Sequence, residues 1–328
     1  MPYFAGDTLD DIMRDALDAI IADGERVTSS RRGGDNRELA GVLLELRNPR
    51  ARLSRTETRG RPFSALGEFC WYMAGRDDLA FIEHYIPTIY RQDAEEGVLR
   101  GAYGPRLVGS WRSNQLAHVV KLLIERPQTR HAVIQLFDAG DLQTGQRDVP
   151  CTCTLQFLRR GNQLRAIAHM RSNDVYLGLP HDVFCFTLLQ EWVARRIGIE
   201  PGTYTHVAGS LHLYDRNDIQ AQAYLDEGFQ STLSPMPPMP LDAPEASLQA
   251  LLEAEELLRV GGEVATAEQI AARVNPFWAD LVRLLVAHHY YVSGQQDAIA
   301  IVLDRMTSHV YDPYLTWQQE RSPYAAPE

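Results

Sequence analysis

The sequence predicts an α+β fold that is followed by a segment made only of helices. Two runs of strand-like residues, 155–158 and 164–171, flank a turn centred on Gly161, and this pattern predicts a β-hairpin. Apolar residues recur at helical spacing in many other stretches, which indicates helices around the strands. A proline-rich stretch at 234–240 is the clearest break in composition, and only helical patterns follow it. The expected domains are a mixed domain and a helical extension, at residues 1–240 and 241–328.

The stretch before the hairpin alternates helical stripes with strands and polar loops. The first helix has apolar residues on one face and either Asp7 or Thr8 as its N-cap. A later apolar helix contains one acid, Glu68, and burial of a carboxyl without a function or a partner costs free energy. In isolation it is interpreted as a partly exposed helix residue. The predicted elements are helix 8–23, loop 27–36, strand 41–48, a polar and mobile segment 49–61, helix 63–74, helix 114–125 and strand 132–137.

Helical patterns dominate the chain after the hairpin. Asp182 precedes an apolar helix that ends at Gly198, and it is the predicted N-cap of that helix. His288 and His289 occupy adjacent helical positions, so they point apart and predict no shared metal site. The predicted elements are helix 183–197, strand 203–208, a helix from residue 215, and helices 248–258, 267–274, 277–292 and 296–306.

Composition and charge narrow the class of protein. The 328 residues are 45% hydrophobic with a mean hydropathy of −0.27, which is ordinary for a soluble globular protein. A net charge of −11 argues against a broad nucleic-acid surface but leaves room for a local basic pocket that binds one phosphate. Four cysteines without a CxxC pair favour reduced thiols and a cytoplasmic location. We expect neither a leader nor a membrane-spanning segment.

Cys151 is the first candidate for chemistry. It stands just before the first strand of the hairpin, and Arg171 stands at the end of the second strand. The hairpin therefore brings the two residues close together. A guanidinium beside a thiol favours the nucleophilic thiolate. A lone cysteine is nevertheless more often a small buried hydrophobe, so the spacing alone leaves both interpretations open.

A set of short motifs resembles the thymidylate synthase superfamily. The motifs are Pro150-Cys151 followed by Gln156, Arg171-Ser172-x-Asp174, Leu177-Gly178-x-Pro180, and the run from Gly209 to Tyr214 that contains His212. They follow the family's order, with close to its spacing. The resemblance implies a mixed β-sheet with flanking helices, a homodimer, 5,10-methylenetetrahydrofolate as cosubstrate and no metal.

The resemblance also implies a role for each matched residue. Cys151 becomes the nucleophile that attacks the pyrimidine ring, Tyr103 stands beside it, and Glu68 becomes the general acid and base. Without the family, ordinary packing is the better interpretation for the tyrosines and for an isolated His-x-Tyr. The implied nucleotide-binding residues are Arg171, Ser172, Asp182, His212, Tyr214, Gln156, Arg31, and Arg130 contributed to the partner subunit. The implied folate-binding residues are Asp174, Tyr90 and Gly178.

Several positions depart from the family pattern. Tyr90 replaces a tryptophan that packs on the folate, and His131 replaces the second of two arginines that reach the partner's phosphate. The family's usual motif for the phosphate-binding loop is absent, so Arg31 and Arg32 are both candidates for the phosphate contact. A solvated basic loop without that role is an equal alternative. Asp182 replaces the asparagine that reads O4 and N3–H of uracil. A carboxylate accepts from the amino group of cytosine and favours a proton on N3, which an amide cannot do equally well.

Asp182 therefore predicts a cytosine-nucleotide 5-hydroxymethylase. The sequence resembles the deoxycytidylate hydroxymethylases of bacteriophages and the cytidylate hydroxymethylases of nucleoside-antibiotic pathways. Lys121 is the only lysine, and this arginine bias indicates a GC-rich genome, which favours CMP and an antibiotic pathway. The alternatives are dCMP hydroxymethylation in phage DNA modification, methylation of dUMP to dTMP, and an inactive family member that only binds nucleotides.

Overall fold

One mixed β-sheet organises the computed structural model, which describes residues 2–28, 34–109, 113–143, 145 and 147–320. Helices flank this sheet, so the expected α+β fold is confirmed. The strands of the described part are β1 (Tyr3–Gly6), β2 (Glu25–Val27), β3 (Asn36–Leu46), β4 (Val133–Gln135), β5 (Thr152–Arg160), β6 (Gln163–Met170), β7 (Asn173–Asp174) and β8 (Glu200–Tyr214).

The sheet has the order β1-β3-β8-β6-β5-β4, with β2 paired to β3 and β7 paired to β8. The predicted hairpin is confirmed, because β5 and β6 pair in antiparallel fashion around Gly161. The long strand β8 lies between antiparallel β3 and parallel β6. Both β3 and β8 are longer than predicted, because their pairing continues through polar residues as far as Asn36 and Tyr214.

Twelve α-helices surround the sheet within the described residues. Those before β8 are α1 (Leu9–Asp23), α2 (Pro62–Met73), α3 (Leu79–Glu83), α4 (Tyr103–Val108), α5 (Gln115–Glu125) and α6 (Gly178–Arg196). Those after it are α7 (Asp218–Asp226), α8 (Pro244–Arg259), α9 (Val264–Ala271), α10 (Pro276–Val292), α11 (Ile299–Arg305) and α12 (Asp312–Glu320). Within this part of the chain, no helix is both long and apolar enough to cross a membrane.

Helix α6 begins earlier than predicted, and this corrects the role given to Asp182 as a cap. The first helical residue is Gly178, so Asp182 lies inside the helix, where its side chain is buried. Oδ1 of Asp174 accepts from the backbone N–H groups of Tyr176 and Leu177, at 2.8 and 2.9 Å. Asp174 therefore supports the turn that leads into the helix. This leaves the carboxyl of Asp182 available for a different purpose.

The prediction that residues 49–61 form a mobile polar segment is wrong. Arg52 is fully buried and forms an ion pair with Glu191 of α6. Ser54 is also buried, and its hydroxyl donates to Oδ1 of Asp10 at 2.6 Å. Arg52 and Ser54 are buried here because each has a buried partner, which composition alone does not reveal.

The helices after residue 240 share a continuous apolar core with the rest of the chain. Trp278 of α10 is fully buried in that core. The indole of Trp192 on α6 donates to the carbonyl of Pro244 at 3.2 Å. Helices α8 and α10 also pack against α2. The division of the chain at residue 240 stays a prediction, and we refer to residues after it as the extension.

Candidate active site

Cys151 and Arg171 meet at the open end of the β5–β6 hairpin. The register pairs Thr152 with Met170, which places the two flanking residues side by side. Nη2 of Arg171 lies 3.6 Å from Sγ of Cys151. The same guanidinium donates to the carbonyls of Pro150 and Val149, each at 2.9 Å. A fixed cation beside the sulfur favours the thiolate form, and the exposed position of Arg171 leaves it accessible to an anionic ligand.

Tyr103 is tied to the residue that follows the cysteine. Its hydroxyl accepts hydrogen bonds from the backbone N–H of Thr152 at 3.0 Å and from the Thr152 hydroxyl at 2.9 Å. The ring packs against those of Tyr72 and Phe186. Burial raises the pKa of Tyr103 well above its usual value, with further contributions from the charges of Cys151 and Asp182. Tyr103 therefore lies between the sulfur and the carboxyl, as a neutral phenol.

Glu68 is 5% exposed and projects from α2 into an aromatic environment. The hydroxyls of Tyr72 and Tyr90 both donate to its Oε1, at 2.5 and 3.2 Å. Burial raises the pKa of Glu68, and the two tyrosine hydrogen bonds oppose this by favouring the carboxylate. A carboxyl with a raised pKa keeps its proton to a higher pH than an ordinary glutamate does, which suits a general acid and base. The expectation of a partly exposed residue in isolation is therefore wrong.

Asp182 is the second buried acid of the site, with 8% exposure. The side-chain amide of Asn173 donates to its Oδ2 at 2.7 Å. Burial raises the pKa of Asp182 well above the usual range, the charge of Glu68 raises it further, and the Asn173 hydrogen bond partly opposes both. The charge of Asp182 also contributes to the raised pKa of Tyr90, after burial and Glu68. Asp182 therefore lies in the same cluster as Glu68, Tyr90 and Tyr103.

Gly178 and Asp174 shape the wall next to Asp182. A Cβ added at Gly178 would lie 3.1 Å from Nδ2 of Asn173 and 3.7 Å from Oδ2 of Asp182. A side chain here would crowd the hydrogen bond between those two residues. Asp174 pairs in register with His212, since β7 runs parallel to the end of β8.

His212 and Tyr214 lie together at the end of β8. Their rings meet edge to face with centroids 4.7 Å apart. Burial lowers the pKa of His212, while the charges of Asp174 and Glu38 oppose this shift. Glu38 pairs in register with His212 and accepts from the hydroxyl of Ser210. The imidazole therefore belongs to a polar row that is suited to hydroxyl groups.

Among the other predicted residues, Gln156 and Arg130 contact each other, Ser172 adjoins the site, and Arg31 is outside the described residues. Nε2 of Gln156 donates to the carbonyl of Arg130 at 2.9 Å, and the Arg130 side chain is exposed. Ser172 is partly buried between Arg171 and Asn173. Arg31 and the neighbouring candidate Arg32 lie outside the described residues.

Sequence analysis missed several residues that complete the site. Asn173 was the unassigned position in the Arg171–Asp174 motif, and Tyr72 lies one helical turn after Glu68, a spacing that could have indicated contact. His181 was also missed: its Nδ1 donates to the carbonyl of Leu177 at 3.1 Å, while Nε2 accepts from Ser64 at 2.9 Å. Burial lowers the pKa of His181 to about 4, which keeps the ring neutral.

Two buried polar atoms fit a site that receives a polar ligand. Oδ1 of Asn173 and Nε of Arg59 have no hydrogen-bond partner among the described residues. Asn173 borders Asp182, and the Arg59 guanidinium lies over the ring of Tyr176, 4.9 Å from its centroid. Buried polar groups normally have partners, so these two atoms are available to a polar ligand. No cluster of three or more metal-binding side chains occurs among the described residues.

Comparison with known proteins identifies the class. The sequence model of the family described as thymidylate synthase matches residues 12–256, so this chain belongs to the thymidylate synthase family. Members transfer a one-carbon unit from methylenetetrahydrofolate to a pyrimidine nucleotide. The chain is similar to a protein of Bacillus phage SP01 named deoxyuridylate hydroxymethyltransferase. The two are 26% identical over 346 aligned residues, which cover 93% of this chain and 90% of the phage protein.

Proposed function

We propose that this protein is a cytosine-nucleotide 5-hydroxymethylase that acts on CMP or dCMP. In this reaction 5,10-methylenetetrahydrofolate supplies the one-carbon unit and water supplies the hydroxyl group. The observation that carries the proposal is the buried carboxyl of Asp182, which Asn173 holds within the cluster that contains Glu68 and Tyr103. The family resemblance expects an asparagine at this position.

Asp182 reads the base through proton chemistry. One carboxyl oxygen accepts from the amino group at C4 of cytosine, and the other shares a proton with N3. Because burial raises the pKa of Asp182, the carboxyl carries that proton at a higher pH than an ordinary aspartate. The proton moves towards N3 as the covalent adduct forms. An amide at this position lacks an acidic proton, so it stabilises the adduct of cytosine less well.

Cys151 begins the reaction as the thiolate that Arg171 favours. The sulfur adds to C6 of the pyrimidine, which makes C5 nucleophilic towards the one-carbon unit. Glu68 then accepts the proton that C5 loses after the transfer and passes it to the departing nitrogen of tetrahydrofolate, which leaves an exocyclic methylene on C5. Arg171 also binds the phosphate, with Ser172 beside it. His212 and Tyr214 bind the sugar hydroxyl.

Addition of water distinguishes a hydroxymethylase from a methylating synthase. Tyr90 stands at a position where the family resemblance implies a tryptophan, and its hydroxyl donates to Glu68. A phenol gives a smaller and more polar wall than an indole. Glu68 and its two tyrosine donors then orient a water molecule towards the exocyclic methylene carbon, and Glu68 accepts a proton from that water. Release of Cys151 from C6 restores the aromatic ring.

The exposed Arg130 and the face of β5 that carries Gln156 supply a surface for a second subunit. In this arrangement Arg130 contacts the partner's phosphate, and the neighbouring His131 takes the place of a second arginine. The arginine-rich composition supports CMP as substrate and a role in nucleoside-antibiotic biosynthesis, and the four cysteines without a CxxC pair support a cytoplasmic enzyme.

Hydroxymethylation of deoxyuridylate is the second candidate function. Two observations favour it: the name of the phage relative, and the raised pKa of Asp182. A protonated carboxyl donates to O4 of uracil while its other oxygen accepts from N3–H. The pairing requires the neutral acid, so turnover of dUMP would fall as Asp182 ionises.

Mass spectrometry of products distinguishes the candidates. The purified enzyme is incubated with methylenetetrahydrofolate and CMP, dCMP or dUMP in separate reactions. We expect a product about 30 Da heavier than the cytosine nucleotide, which is the mass of one added CH₂O group, because covalent transfer of the one-carbon unit is followed by addition of water. Conversion of dUMP alone would support the second candidate, and a gain of one CH₂ group would indicate methylation.

Two variants serve as controls for this experiment. Cys151→Ala removes the nucleophile and is expected to abolish turnover of every substrate. Asp182→Asn is expected to shift the preference towards uracil, because the amide pairs with O4 and N3–H. Retention of the cytosine preference in Asp182→Asn would contradict the base-reading argument. Nucleotide binding without any turnover by the unaltered enzyme would indicate an inactive family member.

A further inference from the structure

The extension packs directly against the helix that carries Glu68, and it also contacts a buried tyrosine that lies against that helix. Tyr85 follows α3, and its ring lies against the backbone of Gly67 on α2. A Cβ added at Gly67 would lie 2.1 Å from Cγ of Tyr85, far closer than side-chain atoms approach one another. Only glycine therefore accommodates the ring at this position. Gly67 directly precedes Glu68, so Tyr85 sets the place of the backbone beside the proposed acid and base.

Residues of the extension hold Tyr85 on its other sides. The Tyr85 hydroxyl donates to Oε1 of Glu255 at 2.9 Å, and Nε of Arg259 donates to the same oxygen at 2.9 Å. The ring of His288 stacks on Tyr85, with centroids 4.9 Å apart and planes 26° apart. Nε2 of His288 donates to the carbonyl of His84 at 3.0 Å. Helices α8 and α10 thus supply two side chains that contact Tyr85, and Arg259 supports one of them, Glu255.

Burial makes this arrangement specific. Glu255 is only 1% exposed, and a buried carboxylate is stable only when charged or hydrogen-bonded partners surround it. Movement of Tyr85 would remove one of the two donors to Oε1 of Glu255 and would expose the Gly67 surface. A buried network of hydrogen bonds and ring contacts of this kind favours a single geometry.

The same stretch of chain supports the Glu68 carboxyl directly. Tyr90 lies five residues after Tyr85, and its hydroxyl donates to Oε1 of Glu68 at 3.2 Å. The ring of Tyr90 also packs on Trp71, with centroids 5.9 Å apart. A displacement of Tyr85 therefore affects Glu68 in two ways, through the backbone at Gly67 and through the hydroxyl of Tyr90.

We propose that Tyr85 and Glu255 are positioning residues through which the extension fixes Glu68 relative to Cys151 and Asp182. This inference rests on the proposed role of Glu68 as general acid and base. Neither residue touches the substrate, so each acts on the rate of the chemical step and not on binding. The extension then has a catalytic purpose in addition to its contribution to the core.

Tyr85→Phe tests the proposal, and Tyr314→Phe is the matched control. Both tyrosines are buried, and each donates one hydrogen bond between the extension and the rest of the chain, since the Tyr314 hydroxyl donates to the carbonyl of Ser54 at 2.9 Å. We expect similar losses of thermal stability in the two variants. Only Tyr85→Phe should lower kcat, by about tenfold, because small misplacements of catalytic groups are costly. KM for nucleotide and folate should stay unchanged.

Glu255 provides a second comparison. Glu255→Gln keeps an oxygen that accepts from Tyr85 and should retain most of kcat, while Glu255→Met removes the acceptor and should behave like Tyr85→Phe. Equal kcat values in Tyr85→Phe and Tyr314→Phe would overturn the proposal. So would an effect on KM alone, or equal losses in both Glu255 variants.

A readout that needs no turnover separates this inference from the proposed function. Carbon-13 NMR of labelled glutamate carboxyls, assigned with Glu68→Gln, follows the titration of Glu68 in the intact protein. We expect the pH at which Glu68 titrates to shift in Tyr85→Phe and to be unchanged in Tyr314→Phe. Identical titrations would overturn the inference even if no substrate is converted. Failure of the unaltered enzyme to convert any pyrimidine nucleotide would overturn only the proposed function.

Discussion

The side-chain amide of Asn173 donates to Oδ2 of Asp182 at 2.7 Å, and both residues are buried. This hydrogen bond joins the short strand β7 to helix α6 and fixes the orientation of the Asp182 carboxyl. It also opposes the effect of burial, which raises the pKa of Asp182. The pair therefore sets both the orientation and the protonation of the group that we propose reads the base.

Removal of the Asn173 amide should weaken base recognition. In Asn173→Ala the pKa of Asp182 rises further, because the hydrogen bond that favours its ionised form is lost. We expect kcat/KM for the preferred nucleotide to fall about tenfold, since an unsatisfied buried acceptor costs about 1–3 kcal/mol. Steady-state kinetics measures this. Asn114→Ala, which removes an exposed helix cap, should leave kcat/KM unchanged; equal values in the two variants would contradict the assignment.

Glu68→Gln should make the protein more stable and inactive. The pKa of Glu68 is raised in the folded state, so the folded protein holds the proton more tightly than the unfolded chain does. The ionised carboxyl therefore destabilises the fold above the unfolded pKa, by about 1.4 kcal/mol for each unit by which the pKa is raised. Urea unfolding should show a higher free energy of unfolding for Glu68→Gln than for the unaltered protein. The difference should be absent at about pH 4, the ordinary glutamate range, and should grow as the pH rises.

Glu253→Gln is the control for that experiment, because Glu253 is exposed on α8. We expect no pH-dependent difference between this variant and the unaltered protein. An increase in the free energy of unfolding of Glu68→Gln that does not vary with pH would show that burial of the Glu68 charge is not its cause.

Substitution of Tyr90 should change the product. Tyr90→Trp replaces a phenol with a larger indole that lacks a donor towards Glu68, so we expect less water addition and a higher ratio of methyl to hydroxymethyl product. Tyr90→Phe removes the hydrogen bond at 3.2 Å but leaves a ring of similar size. Mass spectrometry of both variants separates shielding from hydrogen bonding. An unchanged ratio in Tyr90→Trp would remove the support for a role of Tyr90 in water access.

Loss of the buried Arg52 should destabilise the fold. Arg52 and Glu191 are both 0% exposed and form an ion pair, so Arg52→Met leaves part of a buried charge uncompensated. We expect a loss of about 3–5 kcal/mol in the free energy of unfolding. Lys121→Met breaks an exposed pair with Glu125 and should cost less than about 1 kcal/mol. Urea denaturation compares the two, and similar losses would argue against a structural role for the buried pair.

The contact between Cys151 and Arg171 could be predicted because it depends on local geometry. A hairpin with a short turn fixes which residues stand at its open end, and the strand runs and Gly161 were visible in the sequence. Helix α2 was predictable in the same way, since its apolar residues recur at helical spacing. The start of α6 was not predicted, because its entry depends on hydrogen bonds from two backbone N–H groups to Asp174.

The sequence by itself determined the β5–β6 hairpin, the longer helices such as α1, α2 and α5, and the order of the motifs from Cys151 to Tyr214, because periodicity and turn residues act over a few positions. Only the tertiary structure decided that Asn173 holds Asp182, that Tyr90 supports Glu68, and that Glu255 meets Tyr85 across 170 positions of chain. The physical reason is that apolar spacing specifies which face of a helix is buried. It does not specify which distant polar side chain will satisfy a charge buried there, since that choice depends on how the helices pack.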